Sequence, residues 1–114
     1  MATFLLLIFL ATGGVFIALG LPLMRGKVKP NGLYGFRTQA TLNDPAIWYP
    51  VNRAGGTAIL FGGIAVALMA IATFFARFSV EATATINVGA MFASLLIAVV
   101  HGLRVQRRLT SERA

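Results

Sequence analysis

Cysteine is absent from the chain, histidine occurs once, and only three side chains are acidic. Without cysteine there is no disulfide framework and no thiolate chemistry, and cysteine usage reports nothing about the redox compartment. A lone His101 supplies neither a multi-histidine metal site nor a cysteine and histidine pair. Neither G-x-S-x-G nor a phosphate-binding glycine loop occurs in the sequence. No enzyme is therefore expected, and no cofactor or metal. Charge of any sign is scarce as well, at 11% of residues against about 25% in soluble domains. Hydrophobic residues make up 58%, with a mean hydropathy of +0.83. A chain of 114 residues cannot hide that much apolar surface in a water-surrounded core. Lipid must cover the rest.

What charge there is divides the chain. No basic residue falls in 2–24, 54–76 or 84–103, runs of 23, 23 and 20 residues, against the roughly 20 a helix needs to cross about 30 Å of hydrocarbon. All three runs can span, and inside lipid each must be helical, because no water is there to satisfy open backbone groups. The expected fold is an all-α integral membrane protein, one domain over 1–114, with a motif loop at 25–53 and a basic tail at 104–114 that frays from the last helix. The first run lacks a positive n-region and exceeds the usual apolar core of a signal peptide, so it reads as a retained span.

Nine of the ten Lys and Arg side chains lie in 25–53 or 104–114, and Arg77 alone lies between the second and third runs. Basic residues in short loops are retained on the cytoplasmic side. The expected topology is multi-pass in a bacterial cytoplasmic membrane, with the N-terminus outside and the C-terminus inside. The net charge of +7 and pI near 11.6 then reflect topology and contact with anionic lipid head groups, not nucleic-acid binding. No carboxylate falls within the spans: Asp44 and Glu112 lie in the inner segments and Glu81 in the outer loop. That argues against a proton-coupled exporter. His101 reads as a head-group contact or a helix C-terminal cation. Thr12, Thr57, Thr73, Asn87 and Ser94 read as backbone or interhelical hydrogen bonders.

Small residues recur at i, i+4 in each run: Gly14 and Ala18, then Ala54, Ala58 and Gly62, then Gly89 and Ala93. Such stripes let helix backbones approach closely. A second row on the middle run, Gly56, Gly63 and Ala70, is available for a second protomer, making a homo-oligomer one expectation.

The loop is too rich in aromatics and turn residues to be mere linker. Pro30, Asn31 and Gly32 form a turn, and Gly35 permits a sharp bend between Tyr34 and Phe36. Thr41 or Asn43 is placed to cap a short interfacial helix, with Asp44 and Pro45 in its first turn. The helical period sets Asp44, Trp48, Asn52 and Gly55 on one face, and Pro50 predicts a kink before the second span near Arg53.

The run Asn31, Tyr34, Gly35, Arg37, Thr38, Thr41, Leu42, Trp48, Asn52, Arg53, Gly55 resembles the signature of the SdpI family. These are bacterial membrane proteins named for immunity against a secreted killing peptide. The resemblance is dense over about 27 residues. Gln39 stands where the family often has proline, and Pro50 falls in a helix that usually runs on. The resemblance implies a membrane core of this architecture and, as function, an immunity or receptor-like module against a membrane-active toxic peptide.

The candidate binding residues are Asn31, Tyr34, Arg37, Thr38, Trp48, Asn52 and Arg53. Three readings of the loop stay open. As a cap, it has Arg37 paired with Asp44 or bonded to backbone carbonyls, while aromatics seal the bundle. As a recognition site, it holds a lipid head group, a peptide or a cytosolic regulatory protein. As a transport element, it lines a path, the reading least supported for want of embedded charge. The rival to a stand-alone module is a structural or accessory subunit of a larger membrane complex.

Overall fold

The computed structural model describes residues 1–113. Four helices follow in order: α1 (Ala2–Met24), α2 (Gln39–Asn43), α3 (Pro45–Phe75) and α4 (Val80–Arg113). No strand occurs among the described residues. The protein is all-α, and α1, α3 and α4 are each long and apolar enough to cross a membrane. They form a rod of 53 × 22 × 18 Å. The middle span organises it, since α1 and α4 both pack along α3 and meet each other only slightly.

The α1 to α3 contact is made by backbone against backbone. A Cβ added to Gly63 would stand 2.6 Å from the Gly13 carbonyl oxygen, and one added to Gly20 would stand 2.5 Å from that of Gly56. Only glycine permits such an approach. The Gly56, Gly63, Ala70 row thus faces α1, through Gly13 and Gly20, and is not available to a second protomer. Gly14 and Gly89 are different, because a Cβ added to either would meet nothing within 4 Å, and Gly14, Ala18, Gly89 and Ala93 are exposed. The i, i+4 stripes on the outer spans therefore face away from the bundle. Gly62 alone of those stripes behaves as expected among the glycines, lying against Ser94 of α4.

Hydroxyls within the spans bond their own helices: Thr12 donates to the Ile8 carbonyl, Thr57 to Arg53, Thr73 to Met69 and Ser94 to Ala90. Asn87 is fully buried and crosses to α3, its Nδ2 donating to Thr73 Oγ1 at 3.1 Å and to the Thr83 carbonyl at 2.9 Å. Its Oδ1 has no hydrogen-bond partner among the described residues.

Two spans are longer than the uncharged runs. α3 begins at Pro45, not Ala54, with Asp44 as its N-cap accepting from Ala46 N–H at 3.0 Å and Pro45 in the first turn. The expected boundary near Arg53 is absent, because Pro50 lies only one turn and a half into α3, where it costs one hydrogen bond to the exposed Ala46. α4 runs ten residues past Leu103 to Arg113, in place of a fraying tail. At 1.5 Å per residue its 34 residues reach about 50 Å, well beyond the hydrocarbon. Arg104, Arg107 and Arg108 are exposed on that extension, and their charge complements the negative end of the helix dipole.

α1 and α3 end with the same device. After α1, Gly26 adopts φ +68, its N–H bonds the Leu23 carbonyl, and Lys27 N–H reaches back to Pro22. After α3, Arg77 takes the equivalent left-handed position at φ 58, with Arg77 N–H on Phe74 and Phe78 N–H on Thr73. Glycine suits that position and arginine does not.

Candidate functional site

The loop from α1 to α3 folds back over one end of the bundle and is fastened there mainly through side chains bonding backbone. Asn31 makes the first turn: its Oδ1 accepts from Leu33 and Tyr34 N–H at 2.9 and 2.7 Å, and its Nδ2 donates to the Lys29 carbonyl at 2.7 Å. The Tyr34 hydroxyl then donates to the Leu19 carbonyl of α1. Partial burial raises the Tyr34 pKa above its ordinary value by disfavouring the phenolate, which keeps the hydroxyl a donor.

Trp48 and Asn52 are fixed by one helical turn of α3 and face inward together, 0% and 2% exposed. Trp48 Nε1–H donates to the Val28 carbonyl at 2.8 Å. Asn52 uses both ends of its amide: Oδ1 accepts from Phe36 N–H at 2.6 Å, and Nδ2 donates to the Trp48 carbonyl at 3.0 Å. Gly35, at φ +108, makes this possible, since a Cβ there would meet Asn52 Oδ1 at 2.6 Å. The shared face of Trp48, Asn52 and Gly55 is therefore the face that grips the loop.

Phe36 completes the closure. Its ring is wedged between α3 and α4 at two glycines: a Cβ on Gly102 would stand 2.5 Å from Phe36 Cε2, and one on Gly55 would stand 2.5 Å from Cζ. Thr38 caps the short helix α2, while the helix expected behind Thr41 or Asn43 is the start of α3 and is capped by Asp44. The Thr38 side chain accepts from Thr41 N–H at 3.2 Å while Thr41 Oγ1 accepts from Thr38 N–H at 2.8 Å, a reciprocal capping box. Buried Thr41 also donates to the Phe36 carbonyl at 2.7 Å, and the Thr38 hydroxyl donates to Gln106 Oε1 of α4 at 2.9 Å.

Four of the seven candidate residues, Tyr34, Thr38, Trp48 and Asn52, thus hold the loop to the helices, and Asn31 shapes the loop's own turn. The other two stand outside. Arg53 is exposed, its guanidinium Nη2 lying 3.2 Å from where a Gly26 Cβ would sit, against the end of α1. Arg37 is exposed too, with Nη1–H donating to the Gly32 carbonyl. Its expected backbone bonding is observed. Beside it at the loop tip, Leu33 is 92% exposed.

Most residues of the sequence motif take part in this fastening, with Arg37, Leu42 and Arg53 exposed outside it, and the family model for SdpI/YfhL proteins matches residues 27–112. The chain belongs to the SdpI/YfhL protein family. No match was found among curated proteins or among solved structures. The family match covers most of the loop, all of α3 and nearly all of α4, and begins after the end of α1, so the SdpI/YfhL core here is a multi-pass membrane unit closed at one end by its motif loop. Phe36, Gly102 and Gln106 belong to that unit, although none of the three stands among the candidates drawn from sequence. A phenylalanine between two loop turns, with a glycine near the end of the last span, is the signal that points to them.

Proposed function

We propose that this SdpI/YfhL-family protein is a non-enzymatic immunity or receptor-like module of a bacterial cytoplasmic membrane, acting against a membrane-active killing peptide. In this reading the N-terminus lies outside, and the motif loop and basic end of α4 lie in the cytoplasm, as the placement of nine of the ten basic side chains favours. The loop is first a cap. What supports this is the bonding of Asn31, Tyr34, Thr38, Trp48 and Asn52 inward to α1, the loop backbone and α4. Recognition then falls to what the cap leaves outside, Arg37 with the exposed Leu33 beside it. The fixed planar guanidinium offers bidentate contacts that lysine does not reproduce.

The experiment pairs survival of peptide-challenged cells with thermal unfolding in detergent. Arg37→Lys is expected to lose protection at an unchanged melting temperature, whereas Trp48→Ala and Asn52→Ala lose fold and protection together. Full survival with Arg37→Lys refutes recognition at the loop tip. Topology is tested separately: a cysteine at Ser79 should label with an impermeant reagent in intact cells and one at Thr110 should not. An accessory-subunit role has one observation in its favour, the almost wholly exposed apolar Leu33, and predicts stoichiometric partners on purification from native membranes.

A further inference from the structure

On the side of α3 turned away from α1, α3 and α4 diverge toward the loop-bearing end and leave a groove of about 570 Å³. Its mouth carries Arg104 and His101, one turn apart on α4, with Thr57 opposite on α3. Below the mouth the walls are Leu96, Ile97 and Val100. The groove then continues, through the shared Ala58 and Ile97, into a shallower depression of about 270 Å³ floored by Gly62 and Ala65. From Arg104 to Ser94 is ten residues of α4, about 15 Å, or half of the roughly 30 Å hydrocarbon thickness.

We propose that this groove is a binding site for one anionic phospholipid, its phosphate held between Arg104 and the His101 imidazole N–H and one acyl chain lying along the apolar floor. Three features set this occupant apart. The charge sits only at the mouth, at the depth where an acyl groove one leaflet long would bring a head group. Among the described residues none of the three acidic side chains lines the groove, and Arg104 is exposed at its mouth. Arg107 and Arg108 follow on the exposed α4 extension, adding positive potential that favours an anionic head group over a zwitterionic one. The small residues on the floor would also admit a second copy of the chain, but a two-fold pairing there brings two Arg104 and His101 mouths together.

The proposal is independent of the immunity reading and is tested on purified protein in mild non-ionic detergent. Phosphatidylglycerol should remain bound at one per monomer in native mass spectrometry and raise the melting temperature. Phosphatidylcholine with the same acyl chains should do neither, and inorganic phosphate should neither compete nor stabilise. Arg104→Gln and His101→Gln should each weaken phosphatidylglycerol retention at least tenfold, and Ala58→Phe, which fills the groove below the mouth, should do the same, all with the lipid-free melting temperature retained. Arg25→Gln, at the end of α1 and outside the groove, should leave retention within twofold. Equal retention of phosphatidylcholine overturns the proposal, as does an equal loss in Arg25→Gln, competition by inorganic phosphate, or a dimer in which the groove is closed by a second chain.

Discussion

The two faces of α3 hold their neighbours by different means. Toward α1 the contact is backbone on backbone, Gly56 and Gly63 against Gly20 and Gly13, with no room for a methyl group. Toward α4 it is a set of side-chain insertions: Ser94 against Gly62, Asn87 onto Thr73, and the Phe36 ring between Gly55 and Gly102. The first face is complete in the helices themselves. The second borrows its largest piece from the loop, so the motif acts as part of the interface between two spans. In lipid, where apolar surface gives no preference for another helix over an acyl chain, close packing and interhelical hydrogen bonds are the two available means of association. This molecule uses them on opposite sides of one helix.

The sharpest way to break that contrast is to put a side chain on the glycine face. Gly63→Val places atoms against the fixed Gly13 carbonyl and should cost about 3 kcal/mol by detergent unfolding, whereas Gly14→Ala, where nothing lies nearby, should leave stability unchanged or slightly raised. A loss of equal size at Gly14 would remove the distinction. On the other face the obstacle is a ring that can be taken away. Gly102→Ala should cost about 2 kcal/mol alone but much less in a Phe36→Ala background, a coupling above about 1 kcal/mol. Additive losses would show that Phe36 does not bridge the spans. Asn52→Leu strips the Phe36 N–H of its acceptor and should cost about 2 kcal/mol, loosening the loop to hydrogen exchange while α1 stays protected. Smaller and opposite in sign, Arg77→Gly should raise stability by about 1 kcal/mol, because it relieves a left-handed arginine at the far end of α3.

Alkali offers a last test confined to the cap. Tyr34 has its folded pKa raised by burial, so its contribution is whole below the ordinary tyrosine value of about 10 and is lost as pH rises through the folded pKa. Wild type should therefore lose stability in that window, and Tyr34→Phe should lose less, as followed by melting temperature against pH.

The spans are legible in the sequence because absence of charge over about 20 residues is a physical requirement of the bilayer. Their ends are not. The run from Pro45 to Arg53 contains Trp48, Asn52 and Arg53 and reads as interfacial, yet the Asp44 cap and Pro45 start a helix that simply continues. The Gly56, Gly63, Ala70 row is visible as a seven-residue repeat, but a repeat on one helix does not name its partner. Gly13 and Gly20 repeat at the same interval, and matching the two rows finds it. In the loop, the shared face of Trp48 and Asn52 follows from the helical period. What they bond to does not, because Val28 and Phe36 offer backbone groups, which carry no residue-type signal.

The position of Gly102 and Gln106 has a consequence for the order of assembly. Both lie in the last third of α4, whereas the loop they secure is made before α3. During synthesis the α1 and α3 pair can associate through its glycines as soon as α3 is in the bilayer, and Phe36 can then meet Asn52 and Gly55, but the other wall of its ring, Gly102, and the Thr38 partner Gln106 come only with the end of α4. The motif loop therefore closes in two steps: its bonds to α1 and α3 need only the first two spans, and the Phe36 ring and Thr38 are locked when the third span has inserted in register. A chain truncated after Leu103 keeps Gly102 but lacks Gln106, and pulsed proteolysis of nascent chains stalled at that length should cut between Asn31 and Thr38 faster than in the finished protein. Closure of the loop is, in this sense, the molecule's own record that insertion is complete.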